Sequence, residues 1–240
     1  MRKKSAARSA RRHGDRGLKY LIYFTIMDQK KEIIKTCTPF TIIGRDRLNN
    51  NIDMLINVNS KNISGDIVEI GVYKGGSMLA FLLAQEKLSP AILRHYHLYD
   101  TFSGMTPPSG LDKDLNGHSA EMIIHHNKNV LCISSLDEVK ATIQKCNISS
   151  DFIHYHVGDI LQNTFYPDKI AILRLDTDWY ESTAFELKNF YDKVVSGGVV
   201  IIDDYGHWQG CKRAVDDFLL EHPEIKLTQI DYTGVYFYKP

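Results

Sequence analysis

Five short apolar runs in this chain each carry an acid at or near their end. They read DIVEIG, HYHLYD, FIHYHVGD, IAILRLDTD and GGVVIIDD. Short runs of this kind, several of them rich in β-branched residues, read as buried strands. Helical text lies between them: SMLAFLLAQ follows the first run and SSLDEVKATIQKC precedes the third. WYESTAFELKNFYDKV follows the fourth, with Tyr180, Ala184, Leu187, Tyr191 and Val194 on one face, and CKRAVDDFLLEH follows the fifth. Strands alternating with helices predict an α/β fold, a mostly parallel sheet with helices on both faces. The last segment, IKLTQIDYTGVYFYKP, predicts a hairpin turning at Thr233–Gly234 and adding an antiparallel strand.

In such sheets ligands bind beyond the carboxyl ends of the strands. Glu69, Asp100, Asp159, Asp176, Asp178, Asp203 and Asp204 all fall at or near those ends. Any one of them reads as a helix cap or a turn residue. So many acids on one rim point to a binding edge.

The first strand runs into EIGVYKGGS. A glycine-rich turn between strand and helix lets a ligand approach the backbone and aims helix N–H groups at it. The pattern is E-x-G-x-x-x-G-G-S, carried by Glu69, Gly71, Gly75, Gly76 and Ser77, and differs from the dinucleotide fingerprint G-x-G-x-x-G. Ser77 is the expected helix cap. Asp100 ends the second strand, where an acid can accept from both ribose hydroxyls. It lies farther from the first glycine than the ~20 residues usual in a dinucleotide fold.

One helix and one turn separate Asp176 from Asp203, so the two acids end consecutive parallel strands. Neighbouring strands lie about 4.8 Å apart. Asp204 follows where the strand bends away. Three carboxylates brought together there resist joint ionisation without a cation. All-oxygen ligands favour Mg²⁺ over zinc or copper. The competing reading is an acid pair solvated at a loop mouth.

Composition sets the outer bounds. With 240 residues, 43% hydrophobic and 24% charged, the chain has the makings of one large domain. Zero formal net charge gives no global field toward nucleic acid or membrane. Cys37, Cys132, Cys146 and Cys211 form no C-x-x-C pair, which argues against a zinc site or disulfide framework and fits a reducing, cytoplasmic setting. No apolar run reaches the ~18 residues of a membrane span. Residues 1–29 are basic and read as a flexible tail, with a targeting segment or a nucleic-acid-binding arm as alternatives and Met27 as a possible alternative start. Residues 30–240 read as the domain. It opens with a helical region, 30–62, where Leu48, Ile52, Leu55 and Ile56 recur at helical spacing. Residues 104–130 read as a long loop, which is usually functional or disordered.

The glycine loop and its surroundings resemble the class I S-adenosylmethionine-dependent methyltransferases. That resemblance implies cofactor contacts from Glu69, Gly71, Gly75, Gly76, Ser77, Asp100, Gly158 and Asp159, with Thr101, Ser103 and Asp176 beside them. The stretch LRLDTDWYEST, followed by GGVVIIDDYGHWQGCKRAVDDF, is similar to the macrocin O-methyltransferase family, metal-dependent sugar O-methyltransferases of antibiotic pathways. TIIGRDRLNN, DIVEIGVYKGGS and YDTFSGMTPP extend the resemblance, which runs from about Cys37 to Lys239.

The resemblance implies a Rossmann-like, seven-stranded sheet with an antiparallel C-terminal strand. It implies methyl transfer from S-adenosylmethionine to a sugar hydroxyl. Asp176, Asp203 and Asp204 fall on the Mg²⁺ ligands and Asp178 on the general base. His207, one turn past the acid pair, is a second candidate base, or else a packed loop histidine. Trp179, Tyr205 and Trp208 offer aromatic faces to a sugar, and Trp179 reads equally as helix core. The loop 104–130 is expected to close over the substrate. His118, His125 and His126, with His97 upstream, lack metal spacing and read as incidental. The family also implies a homo-oligomer joined by N-terminal helices. Catechol-type methyltransferases are the nearest rival, but their last ligand is the Asn of an Asp-Asn pair. A nucleic-acid methyltransferase would lead one to expect N-P-P-[YF], which this sequence lacks. A non-catalytic cofactor-binding module is the rival outside enzymology.

Overall fold

The computed structural model describes residues 24–240. Helix α1 covers residues 24–37 and is followed by α2 (Arg45–Ser60). The chain continues through β1 (Asp66–Ile70), α3 (Gly76–Leu88), β2 (Tyr96–Asp100), α4 (Ala120–His126), α5 (Leu136–Ile143) and β3 (Ile153–Val157). It closes with β4 (Ile170–Leu175), α6 (Tyr180–Phe190), β5 (Val194–Ile202), α7 (Gln209–Glu221), β6 (Thr228–Gln229) and β7 (Val235–Tyr238). The seven strands form one sheet in the order β3-β2-β1-β4-β5-β7-β6. β1 to β5 are parallel, and β7 pairs antiparallel with β5 and β6. Strand order reverses between β1 and β4, the position where such sheets open a crevice. The expected tail lies mostly outside the described residues, and α1 is already helical at residue 24, ahead of the boundary expected at 30.

Side-chain alternation along the strands builds two cores. Ile67, Leu98, Ile172, Val199 and Ile201 face one way and pack with Leu48, Ile52 and Leu55 of α2 and Phe81 of α3. Val68, Ile70, Leu173, Leu175, Val200 and Ile202 face the other way, with Leu187 and Phe190 of α6 and Val215 of α7. Both faces are covered, so the strands read as continuous apolar runs rather than alternating ones. Each such side chain contributes about 1.5–3 kcal/mol when buried. The same period of two governs the polar residues of the strands. It puts Glu69, Arg174, Asp176 and Asp203 on the α2/α3 face.

Three local expectations are corrected. Ser77 does not cap α3: Gly75 does, at φ +83°, and the Ser77 hydroxyl accepts from Asn51 Nδ2 at 2.9 Å. Of the stripe expected on α6, Leu187, Tyr191 and Val194 are buried but Tyr180 and Ala184 are only half-buried, while Ser182, Thr183, Glu186 and Phe190 share the buried side. Glu186 finds a hydroxyl donor in Thr177 at 2.8 Å, so a polar residue takes a buried position that apolar periodicity gave to others. The loop 104–130 contains α4 and is pinned. Trp179 Nε1 donates to the Thr106 carbonyl at 2.9 Å, Tyr180 N to Asp112 Oδ1 at 2.8 Å, and Gln209 N to the Lys113 carbonyl at 2.8 Å. Among the described residues, no helix is long and apolar enough to cross a membrane.

Candidate active site

A cavity of about 700 Å³ opens at the carboxyl ends of β1, β2, β4 and β5. Its volume falls in the range of roughly 300–1,000 Å³ that small-molecule sites occupy. Gly71, Ser77, Asp100, Thr101, Gly158, Asp159, Asp176, Asp178, Asp203, Asp204 and His207 all line it. Glu69, Gly75, Gly76 and Ser103 do not.

The glycine loop is shaped by close approach. Gly71 has φ +82°, and a Cβ there would overlap the Asp176 carbonyl oxygen, so only glycine lets the end of β1 pass the end of β4. A Cβ on Gly76 would meet the Phe40 carbonyl at 2.6 Å, so this glycine serves packing of α3. Asp100 fastens the loop. Its Oδ2 accepts from Val72 N at 2.8 Å and Tyr73 N at 3.2 Å, and its Oδ1 from Phe102 N at 2.8 Å. Gly158 N donates to the Asp100 carbonyl at 2.9 Å, and Asp159 Oδ1 accepts from Leu161 N at 3.0 Å. The acids of the second and third strands thus lie together at one end of the cavity.

At the other end, one carboxylate oxygen each from Asp176, Asp178 and Asp204 lie within 4.8 Å of one another. Asp204 Oδ2 is buried with no hydrogen-bond partner. Burial, then the Asp176 charge, pushes the Asp178 carboxyl up to about 7. Burial and the Asp178 charge hold Asp204 well above the usual carboxylate range. An all-oxygen trio with an orphaned buried acceptor fits a hard divalent cation. Asp178 sits at φ +68°, a left-handed backbone that a non-glycine residue adopts at a cost, and which turns its side chain into the cluster.

Asp203, expected among the ligands, is held by two arginines. Its Oδ1 accepts from Arg174 Nη2 and its Oδ2 from Arg47 Nη1. Both oxygens are therefore engaged, and in this structure Asp178 rather than Asp203 completes the converging trio. Arg47 Nε also lies 3.0 Å from Asp231 Oδ2, in the turn between β6 and β7. Neither arginine was singled out from the sequence. Arg174, a cation in the middle of an otherwise apolar strand, was a signal available there.

The flanking residues divide. His207 lines the cavity with a buried, unpartnered Nδ1, and burial lowers its pKa. Trp208 lines it and meets Trp179 edge-on at 5.0 Å between centroids, while Trp179 is packed behind. Tyr205 turns away, donating to Asp216 Oδ1 at 2.8 Å. His118 pairs with Asp114 at 3.0 Å. His97 is not isolated: with His95, His154 and His156 it forms a ladder across β2 and β3, away from the cavity.

The family description macrocin-O-methyltransferase (TylF) matches residues 28–239. The demethyldecarbamoylnovobiocin O-methyltransferase of Streptomyces niveus is 34% identical over 206 residues, covering 82% of this chain and 74% of that protein. The 8-demethyl-8-(2,3-dimethoxy-alpha-L-rhamnosyl)-tetracenomycin-C 4'-O-methyltransferase of Streptomyces olivaceus is 32% identical over 201 residues, with the same coverage. Among solved structures, the O-methyltransferase NovP superposes with a TM-score of 0.70 at 33% identity, covering 83% of this chain and 82% of that one. The calicheamicin methyltransferase CalS11, at 17% identity and a TM-score of 0.60, shares the fold. The chain is an S-adenosylmethionine-dependent O-methyltransferase and belongs to the macrocin O-methyltransferase family.

Proposed function

We propose that this enzyme methylates a hydroxyl of a sugar carried by a glycoside, with Mg²⁺ held at the acidic cluster. The observation that carries the reading is the trio Asp176, Asp178 and Asp204 converging beside an orphaned Asp204 oxygen, in the same cavity as the glycine loop. Relatives named as acting on novobiocin and rhamnosyl-tetracenomycin precursors support the glycoside class.

Asp176 and Asp204 would hold the cation, with Asp178 at its edge and Asp203 fixed behind by Arg47 and Arg174. Bound, the cation supplies positive charge that lowers the pKa of a neighbouring hydroxyl, and S-adenosylmethionine supplies the methyl group. Gly71, Ser77, Asp100, Thr101, Gly158 and Asp159 would seat the cofactor. Asp178 would accept the acceptor's proton, being the carboxylate that the strained backbone turns into the cavity. His207 is the alternative proton acceptor. Ile43, Met105 and Trp208 in the cavity wall offer apolar faces that exclude water and orient the sugar ring. A homo-oligomer joined through the N-terminal helices and a cytoplasmic location complete the proposal; the four cysteines, all free, are consistent with the latter.

Asp176→Asn tests the assignment. It is expected to abolish Mg²⁺-dependent turnover while leaving S-adenosylmethionine binding within a few-fold. Full activity in that variant excludes the cation mechanism.

A further inference from the structure

The family resemblance gives Glu69 a place at the cofactor, but Glu69 is fully buried and does not line the cavity. Its Oε1 accepts from Arg174 Nη1 at 2.8 Å. The same Nη1 donates to Asp176 Oδ2 at 2.7 Å, and Nη2 donates to Asp203 Oδ1. One buried guanidinium thus joins acids from three adjacent strands. Register explains how. Glu69 and Arg174 are direct partners across β1 and β4, and Arg174 stands opposite Ile201 on β5. Two residues further along β4 and β5, on the same face, come Asp176 and Asp203.

A buried arginine is tolerated only with counter-charges. Asp176 and Asp203 supply two at the cavity wall. Glu69 supplies the third from behind, where no ligand reaches. A planar guanidinium with fixed donors can span three carboxylates, whereas an ammonium on a flexible stem would not hold them in one geometry. Without Glu69, the guanidinium would be shared only between the two acids at the cavity, and its positive charge would face a site meant for a cation.

We propose that Glu69 and Arg174 are a positioning pair for the acidic cluster: Glu69 fixes Arg174, Arg174 fixes Asp176 and Asp203, and the pair sets the affinity for a divalent cation instead of binding S-adenosylmethionine. This rests on the cation reading of the cluster. Glu69→Gln keeps the shape and an acceptor for Nη1 while removing the charge. Arg174→Lys keeps the charge and removes the fork.

The test measures Mn²⁺ affinity by electron paramagnetic resonance and S-adenosylmethionine affinity by calorimetry, on full-length protein at pH 8. Both variants are expected to lose at least tenfold in Mn²⁺ affinity and to keep S-adenosylmethionine affinity within threefold. Glu69→Asp, which retains the charge, should recover part of the Mn²⁺ affinity. A loss of cofactor affinity in Glu69→Gln equal to or larger than the loss for Mn²⁺ overturns the proposal. Mn²⁺ affinity unchanged in Glu69→Gln overturns the positioning role alone. Absence of Mn²⁺ binding to the wild type overturns the cation reading and this proposal with it.

Discussion

Arg47 in the first turn of α2 is bonded to Asp203 just past β5, 156 residues later in the chain. The N-terminal helical region is therefore part of the site, not only a support for the sheet. The Arg47 side chain is 14% exposed and that of Asp203 4%. Removing one partner of a buried ion pair costs about 3–5 kcal/mol when the other is left alone. Asp203 would keep Arg174, so Arg47→Met should cost less, about 1–3 kcal/mol. Urea unfolding measures it. Arg47→Lys should recover little, because one ammonium cannot serve both Asp203 and Asp231. A change below about 0.5 kcal/mol in both variants would remove the link between α2 and the acidic rim.

Asp112 is the anchor of the loop over the cavity. Its Oδ1 caps the first N–H of α6, and its Oδ2 accepts from Ser109 N at 2.6 Å and Ser109 Oγ at 2.8 Å. Losing a helix cap costs roughly 0.5–2 kcal/mol. Asp112→Ala should lower stability by about that amount and speed proteolytic cleavage within residues 104–119. Cofactor affinity should not change. Cleavage at the wild-type rate would show that the loop is held by its other contacts.

The histidine ladder gives stability a pH dependence away from the active site. The His156 ring stacks on Tyr99 and Phe165 and lies 3.0 Å from His97, which in turn contacts Asp66 at 3.2 Å. His95 and His154 form the second rung at 2.8 Å. Burial first, then His97 and His154, lowers His156 from 6.5 to about 4. The folded state keeps this ring neutral while the unfolded chain takes up its proton near 6.5. Its contribution is complete above about pH 6.5 and is lost as pH falls toward 4. The melting temperature should therefore fall between pH 6.5 and 4, and His156→Gln should flatten that slope. Parallel pH profiles for the two proteins would exclude this source.

The sheet was legible because its signals are local and repeated. Val199 to Ile202, Ile170 to Leu175 and the capping box Ser135–Glu138 each announce an element within a few residues. The acids were legible as a rim for the same reason. Their division of labour was not. Asp203 and Asp204 are adjacent in sequence but differ in their partners: Arg47 and Arg174, which come from elsewhere in the chain, take the two oxygens of Asp203, while an oxygen of Asp204 meets Asp176 and Asp178. Glu186 and the His97 ladder escaped for a related reason: a partner on another element decides whether a polar residue is buried. Thr177 does so for Glu186, and β3 does so for His97.

The central claim is tested most directly by following transfer of a labelled methyl group from S-adenosylmethionine to a panel of glycosides, with Mg²⁺ and after EDTA treatment. Label should enter a sugar hydroxyl with Mg²⁺ present, disappear with EDTA, and return on re-addition of Mg²⁺. Transfer undiminished by EDTA, or label found only on non-sugar hydroxyls, would contradict it.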